Sequence, residues 1–422
     1  MMTSRGKDTE AFVWIWLPGD IHPIVAGKLV ADGKDIEFNY GRSYLERQHD
    51  HQASISIYEP ELPLKKGIIS RPTGLNFFGC LRDAAPDAWG RRVIINKKLG
   101  KKGAQTDTNS LDELTYLLES GSDRIGALDF QRSPTEYVPR SVNNVRIEEL
   151  LESAERVERG IALTPDLDQA LFHGSSIGGA RPKALIEDGG CKYVAKFSSG
   201  TDLYSVVKAE FIAMRLATRV GLNAAPVKMV QASGKDVLLI ERFDRVNHGE
   251  GWTRKCMVSA LTLFGLDDMM ARYASYEEFA EIIRRRFNKP TATLKELFSR
   301  LVFNILCGNT DDHARNHAAF WDGKTLSLTP AYDICPQGRA DNEASQAMLI
   351  SGNNNLSRLK TCLAASQAFL LTQKEARNIF EQQISIIEDN WHSVCDEAHL
   401  SDVDRSLLWG RQFMNPFSLE VE

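Results

Sequence analysis

The polar segment NTDDHARN at 309–316 carries the strongest chemical signal in the chain. Asp311 and Asn316 are five residues apart, so one short loop could present a carboxylate to an acceptor hydroxyl and an amide oxygen to Mg²⁺. Asp333 follows 17 residues later and offers a second oxygen ligand of the kind that this hard cation prefers. The spacing predicts phosphoryl transfer from ATP with Asp311 as the catalytic base. Asp312 is a rival base, and the structural alternative is a polar turn that caps the preceding helix.

A glycine-rich turn at 173–183, HGSSIGGARPK, is the candidate site for the phosphates. Backbone N–H groups approach an anion closely where no bulky side chain intervenes, and basic residues nearby add positive charge. The GxxxxGK[ST] spacing of a Walker A loop is absent, and a Gly-Gly pair on its own is usually only a turn. The predicted phosphate contacts are Gly178, Gly179, Ala180, Arg181 and Lys183.

Lys196 is the candidate for a lysine that contacts the nucleotide phosphates. It stands in YVAKF at 193–197, on the second strand after the glycine-rich turn, where kinases present such a lysine. A lysine is seldom placed among apolar strand residues without a partner, and Glu210 on the following helix is the candidate. The alternatives are an edge-strand lysine that faces water and a solvated Glu210.

The segment LLIERFDR at 238–245 is the candidate connection between a β-rich half and a helical half of the chain. A strand that leaves one half and enters the other offers backbone groups to a nucleotide base. Glu241 and Phe243 are therefore the predicted contacts on the adenine side. Phe243 could equally be a core aromatic residue.

The N-terminal part of the chain reads as short strands and helices. β-Branched and aromatic residues broken by Gly, Asp and Pro are typical of strands, whereas apolar residues at helical spacing are typical of helices. The predicted strands are 13–17, 24–30, 35–40 and 125–130, and the predicted helices are 86–98, 111–119 and 146–160.

A β-rich half precedes a helical half. The strands predicted after the glycine-rich turn are 183–188, 192–197, 227–232 and 236–243, around a helix at 204–220. The helices predicted after 255 are 257–264, 276–287, 293–307, 373–391 and 402–413. This order predicts an α+β, protein-kinase-like fold of two lobes, with an extra N-terminal β-rich subdomain and an all-α C-terminal lobe. The predicted domains are 1–135, 136–245 and 246–422.

Composition is that of an ordinary soluble globular protein. The 422 residues are 43% apolar and 25% charged with a net charge of −5, so no nucleic-acid or membrane surface dominates. No apolar run approaches the roughly 18–20 residues that span a bilayer. The apolar stretch at 11–17 is followed by Pro18 and Asp20, which favours a first strand over a signal peptide. Seven cysteines without a CxxC pair suit a reducing compartment, and we expect a cytoplasmic protein.

Taken together, these segments resemble the HipA family of bacterial toxin kinases. The matching motifs are SSIGGARPKAL (175–185), YVAKF (193–197), LLIERFDR (238–245), FGL (264–266), GNTDDHARN (308–316) and LTPAYDI (328–334). Two N-terminal segments, FFGCLRDAAPDAWGRRVI (77–94) and LTYLLESGSDRIGAL (114–128), also look like the family's N-terminal subdomain. The glycine-rich loop departs from the best-known members because it lacks their Gln-Glu.

The resemblance implies a serine/threonine protein kinase that uses ATP and Mg²⁺. Asp311 matches the catalytic aspartate, and Asn316 and Asp333 match the Mg²⁺ ligands, with His313 and Tyr332 near the nucleotide. The glycine-rich turn and Lys196 match the phosphate contacts.

The resemblance also implies regulation and partners. Ser176, or the adjacent Ser175, matches a serine that family members phosphorylate on themselves. A phosphate there adds about −1.5 to −2 charge where ATP phosphates bind, which is expected to switch the enzyme off. The family's toxins are held by a small HipB-like, helix-turn-helix antitoxin, through which they contact DNA. Known targets are proteins such as aminoacyl-tRNA synthetases, whose loss of activity arrests growth.

Two other functions compete with a toxin kinase. A small-molecule kinase would use Asp311 to activate a sugar or drug hydroxyl, and a non-catalytic co-repressor would keep the fold without the chemistry. The complete set of Lys196, Asp311, Asn316 and Asp333 argues against the co-repressor. The extra N-terminal region of roughly 130 residues favours a protein target or partner without excluding a small-molecule kinase. No membrane association is expected.

Overall fold

The computed structural model describes residues 8–33, 35–47, 54–99, 107, 111–140, 146–159, 161, 181–198, 202, 204–339 and 342–421. The chain forms two compact units that each combine distant segments. The first unit comprises Met1–Gly200, Asp244–Val258 and Trp321–Lys324, and the second comprises Thr201–Phe243, Ser259–Phe320 and Thr325–Glu422. The division into domains 1–135, 136–245 and 246–422 stays a prediction.

A five-stranded antiparallel sheet opens the first unit. Its strands are Glu10–Ile15, Ile24–Asp32, Asp35–Tyr40, Ile68–Ile69 and Leu128–Gln131, and the first strand lies between the second and the last. Gly27 sits where the second and third strands come closest, since a Cβ there would lie 2.4 Å from the Asn39 carbonyl oxygen. The strands predicted in this region are confirmed, although the first begins earlier and the last begins later than predicted.

Short helices and a buried ion pair complete the N-terminal part of the first unit. The helices are Arg42–Glu46, Gly79–Arg82, Ala88–Leu99, Glu113–Glu119 and Ile147–Glu158. Arg124 Nε donates to Asp129 Oδ1 at 2.9 Å, and both side chains are fully buried. Burial lowers the pKa of Arg124 to about 10, in spite of the carboxylate beside it. Such a pair stabilises only when its remaining polar atoms are satisfied, and Arg140 Nη2 also donates to Asp129, at 2.9 Å.

The predicted hairpin after the glycine-rich turn is confirmed. Its strands are Lys183–Asp188 and Cys191–Phe197, paired antiparallel. Gly189 and Gly190 connect them with φ of +58° and +75°. Positive φ at both central residues is the geometry of a two-residue hairpin turn that matches the strand twist, and glycine adopts it without steric cost.

The second unit begins with a helix and another hairpin. The helix is Val206–Arg219, and the strands are Val227–Ala232 and Lys235–Glu241, paired antiparallel. Ser233 and Gly234 form the turn with φ of +50° and +75°. The last strand ends at Glu241, two residues before the predicted end.

Helices dominate the remainder of the second unit. They are Ala260–Leu263, Tyr276–Arg286, Pro290–Leu306, Leu359–Ala365, Gln373–Glu397 and Asp402–Leu408, with 3-10 turns at Asp268–Tyr273, Ala314–Asn316 and Ser366–Phe369. Side chains cap several of them: the Ser275 hydroxyl accepts from the Glu278 N–H, and Thr372 and Glu375 form a capping box. None of the described helices is long and apolar enough to cross a membrane.

Short strands interrupt the helical part, which the prediction of an all-α C-terminal lobe did not include. They are Arg245–Asn247, Trp252–Arg254, Cys256–Ser259, Ala318–Trp321 and Leu326–Leu328. The helix predicted at 257–264 was wrong in its first half, where the chain is extended. Ser259 is the residue at which the backbone changes, because its hydroxyl accepts from the Thr262 N–H and starts the short Ala260–Leu263 helix.

Candidate functional site

The residues predicted to bind phosphate are only partly described. Ser175, Ser176, Gly178, Gly179 and Ala180 lie outside the described residues. The structure begins again at Arg181, which is half-buried.

Two lysines stand opposite each other on the hairpin that follows. Lys183 and Lys196 are paired in the strand register and are only 5% and 8% exposed. The Trp89 Nε1–H donates to the Lys183 carbonyl at 3.1 Å, and the Phe197 N–H donates to the Pro182 carbonyl at 3.1 Å. Like charges directly opposite are unfavourable, and buried ammonium groups need anionic partners. The hairpin thus places two buried lysines side by side in one residue pair of its strands.

Glu210, the residue predicted to pair with Lys196, lies on the Val206–Arg219 helix of the second unit. Its side chain is only 2% exposed, so it is not the solvated helix residue that was the alternative. Its pairing with Lys196 stays a prediction.

Residues 308–316, called the polar loop from here on, start at a glycine that no other residue can replace without displacing backbone. Gly308 follows the Pro290–Leu306 helix with φ of +71°, and a Cβ there would lie 2.4 Å from the Gln412 carbonyl oxygen. The Asn309 N–H donates to the Asn304 carbonyl at 2.8 Å, and its side-chain amide donates to Asn304 Oδ1 at 3.1 Å. The start of the loop is thereby tied to the end of the helix.

Asp311 is exposed, and its backbone carbonyl accepts hydrogen bonds from residues later in the polar loop. Its carbonyl accepts from the His313 N–H at 2.8 Å and from Asn316 Nδ2 at 3.1 Å. The Ala314–Asn316 turn brings Asn316 back to this position. Because the amide nitrogen of Asn316 is engaged with the carbonyl, its amide oxygen is the atom that could ligate a cation.

Asp312, in contrast, is only 2% exposed. The hydroxyl of Tyr276 donates to Asp312 Oδ2, and His317 Nε2 lies 3.0 Å from Oδ1. The two neighbouring aspartates therefore have different environments, one in solvent and one inside the unit. Sequence patterns did not single out Tyr276 or His317. Tyr276 lies 36 residues from Asp312, so no local spacing connects these two residues.

His313 and Arg315 are the two basic side chains of the polar loop. His313 is half-buried, and its Nδ1 atom is buried with no hydrogen-bond partner among the described residues. Arg315 Nη2 forms an ion pair with Asp268 Oδ1 at 2.8 Å. A buried ring nitrogen without a partner is unusual in a folded protein.

Asp333 has φ of +58°, a left-handed conformation that aspartate tolerates better than most residues. Residues held this way cluster at functional sites. On one side the Tyr332 hydroxyl donates to the Arg315 carbonyl at 2.7 Å, and on the other the Gln337 N–H donates to the Gly308 carbonyl at 2.9 Å. The segment that carries Asp333 is thus hydrogen-bonded to both ends of the polar loop.

Arg300 supports the same segment and was missed by sequence reasoning. Its side chain is 3% exposed, and Nη2 donates to the Thr329 carbonyl at 2.9 Å and to the Asn223 carbonyl at 3.1 Å. Burial lowers the pKa of Arg300, which Glu296 only partly offsets through the ion pair at 2.8 Å. The available signal was a charged residue within the apolar face of the Pro290–Leu306 helix.

Phe243 lies in a partly exposed aromatic cluster beside Asp333. Its ring centroid is 5.6 Å from that of Tyr332 and 6.0 Å from that of Phe320, and all three side chains are half-buried. Glu241 is also half-buried, and its N–H donates to the Pro226 carbonyl at 2.9 Å. The cluster offers an apolar, aromatic surface of the kind on which a nucleobase stacks.

The donor set suits magnesium. The amide oxygen of Asn316 and the carboxylate of Asp333 belong to segments that are hydrogen-bonded to each other. Hard oxygen donors in small number are typical of Mg²⁺ sites, in which waters and substrate phosphates complete the coordination.

Two family models match the chain. The model described as "HipA-like C-terminal domain" matches residues 175–391, just over half of the chain, and the model described as "HipA N-terminal domain" matches residues 20–131. The first match contains the hairpin with Lys196, the polar loop and Asp333.

Similar proteins carry kinase names. A Sinorhizobium fredii protein named "Putative kinase Y4mE" is 25% identical over 340 residues, which are 76% of this chain and 76% of that protein. The "Serine/threonine-protein kinase toxin HipA" of Shewanella oneidensis is 28% identical over 185 residues, which are 38% of this chain and 42% of the toxin.

A solved complex shows the same fold. The structure of Shewanella oneidensis HipA with HipB and operator DNA matches with a TM-score of 0.67 at 19% identity, over 94% of this chain and 93% of that chain. The match confirms the predicted α+β, kinase-like fold of two lobes.

Proposed function

Because the chain belongs to the HipA family, a family of toxin kinases, we propose that it is a serine/threonine protein kinase that transfers the γ-phosphate of ATP to a protein. The observation that carries this proposal is the exposed Asp311, whose carbonyl accepts from Asn316, on a loop that is hydrogen-bonded to the segment bearing Asp333. Phosphoryl transfer depends mainly on positioning and charge neutralisation, and the hydrogen bonds of this loop support the positioning.

We assign the base to Asp311. An exposed carboxylate can approach the hydroxyl of a serine or threonine on another protein and accept its proton as the bond to phosphorus forms. Asp312 is a poor base because both of its oxygens are engaged by Tyr276 and His317 in the interior. The carbonyl contacts of Asp311 restrain its backbone during the reaction.

Asn316 and Asp333 would hold Mg²⁺, which when bound neutralises charge on the β- and γ-phosphates. Lys183 and Lys196 would contact the phosphates, together with Arg181 and the glycine-rich turn. Glu210 would orient Lys196. Phe243 and Glu241 would contact the adenine, with Tyr332 and His313 close to the nucleotide.

Regulation and partners follow from family membership. We propose that phosphorylation of Ser176 or Ser175 places a dianionic group where the ATP phosphates bind and so inhibits the enzyme. The solved relative contains HipB and operator DNA, which supports a DNA-binding antitoxin as the partner of this chain and DNA contact through it. A protein target such as an aminoacyl-tRNA synthetase would account for growth arrest.

The test is to incubate the chain with γ-labelled ATP, Mg²⁺ and bacterial lysate and to identify the labelled protein. The expected result is one dominant band that carries phosphoserine or phosphothreonine and is absent with Asp311→Asn. Label in a small molecule alone would favour a small-molecule kinase. Growth arrest by the Asp311→Asn variant in a bacterial host would favour the non-catalytic function.

A further inference from the structure

Three polar side chains that the proposed chemistry leaves unused form a cluster next to the polar loop. Tyr276, Asp312 and His317, called the Tyr276 cluster from here on, are 0%, 2% and 3% exposed. The Tyr276 hydroxyl donates to one oxygen of Asp312, and His317 Nε2 lies 3.0 Å from the other. The hydroxyl and Nε2 are themselves 3.3 Å apart, so the three groups form a closed triangle.

The two partners of Asp312 are themselves rigidly held. The Tyr276 N–H donates to the Leu349 carbonyl at 2.9 Å, and the His317 carbonyl accepts from the Ala260 N–H at 2.8 Å. The imidazole of His317 packs edge-on against the Tyr276 ring, with centroids 5.6 Å apart. A buried carboxylate is costly without hydrogen-bond donors, so the Asp312 side chain stays where these donors are.

The position of Asp311 follows from this anchor. Asp312 is its immediate neighbour, so the anchored side chain of Asp312 restrains the backbone next to Asp311. On the opposite side, the Asp311 carbonyl accepts from Asn316 Nδ2 at 3.1 Å. The backbone of Asp311 is therefore held between the Tyr276 cluster and the residue that would ligate the metal.

We propose that the Tyr276 cluster consists of positioning residues that set the reactive orientation of Asp311. The cluster touches neither nucleotide nor acceptor and acts only through the backbone of the polar loop. This inference rests on the proposed phosphoryl transfer. Loss of the anchor leaves the ligands of the nucleotide in place and lowers the fraction of time in which Asp311 faces the acceptor hydroxyl.

The test is Tyr276→Phe in the full-length chain, which removes one hydroxyl and keeps the ring. Steady-state transfer from γ-labelled ATP to the acceptor identified in lysate should show kcat reduced about ten- to a hundredfold. The KM for ATP should change by less than about twofold, because the interaction matters for positioning and not for nucleotide binding. Asp312→Asn, which keeps the size of the side chain, should also show a reduced kcat with a nearly unchanged KM for ATP. This variant replaces Tyr276→Phe in the test if Tyr276→Phe folds poorly.

The matched control is Tyr44→Phe. Tyr44 is 1% exposed, and its hydroxyl donates to the Ile55 carbonyl at 2.7 Å and accepts from the Ile55 N–H at 3.2 Å, within the first unit. This variant should lower the melting temperature by an amount comparable to Tyr276→Phe and leave kcat unchanged. A kcat for Tyr276→Phe equal to that of the control would overturn the positioning role. A wild-type chain that transfers no phosphate would instead refute the proposed function.

Discussion

Replacing Gly308 by alanine should damage both the stability of the protein and its activity. Gly308 has φ of +71°, and alanine in the left-handed region costs about 1–2 kcal/mol. The added Cβ would also lie 2.4 Å from the Gln412 carbonyl oxygen and 3.0 Å from its carbon. These are backbone atoms, so the conflict is relieved only by moving one segment, and overpacking of this kind costs about 1–3 kcal/mol.

The two effects together predict a loss of about 2–5 kcal/mol in the free energy of unfolding. Gly221→Ala is the matched control, because Gly221 also ends a helix with positive φ, +89°, but has nothing within 4 Å of its ideal Cβ. Gly221→Ala should lose only the free energy that the left-handed backbone conformation costs alanine, about 1–2 kcal/mol. Urea denaturation of the two variants measures the difference.

Activity provides a second readout for the same substitution. Gly308 precedes Asp311 by three residues, and its carbonyl accepts from the Gln337 N–H at 2.9 Å. A displacement of about 1 Å at this point is expected to reduce phosphoryl transfer about a hundredfold, whereas Gly221→Ala leaves it unchanged. Equal losses of stability in the two variants, or wild-type transfer by Gly308→Ala, would refute the reasoning from the close backbone contact.

Three further predictions address the base, the metal and the ion pair. Asp311→Asn should reduce phosphoryl transfer by about 10²–10⁴ with ATP binding retained, and transfer at the wild-type rate would exclude Asp311 as base. Asp333→Asn should raise the Mg²⁺ concentration needed for half-maximal transfer, and an unchanged metal titration would contradict its role as ligand. Burial raises the pKa of Asp129, but Arg124 and Arg140 outweigh it and hold the pKa below the ordinary 3.8. The ion pairs of Asp129 therefore stabilise the fold fully above about pH 4, and this stabilisation is lost as the pH falls through the lower pKa of the folded state. The urea midpoint should drop in acid, and it should drop less in Asp129→Asn, which lacks the carboxylate.

Local patterns were sufficient for most of the secondary structure. The Gly189–Gly190 turn needs positive φ at both positions, so the hairpin could be read from the sequence with its strand bounds. The same patterns failed at 257–264, where apolar residues at helical spacing begin as a strand. Short apolar runs of this kind are ambiguous, since their conformation depends on which segment they pack against.

The candidate site was predictable as a set of residue types but not as an arrangement. Spacing singled out Asp311, Asn316 and Asp333 and favoured Asp311 over its rival Asp312, but only the structure shows that Asp311 is exposed and Asp312 is buried. Arg300 carried only the weak signal of a charge within an apolar helix face, and Tyr276 carried no local pattern that would mark it as a support of the polar loop.

The amino-acid sequence by itself determined the order of strands and helices, the family and the chemical groups available for phosphoryl transfer, because these depend on neighbours within a few positions. Tertiary structure alone decided that Asp312 is buried against Tyr276 and His317, and that the segment carrying Asp333 is hydrogen-bonded to both ends of the polar loop. The physical reason is that most of these contacts join residues 17 to 36 positions apart in the chain, and the nearer contact, between His317 and Asp312, depends on how the polar loop folds.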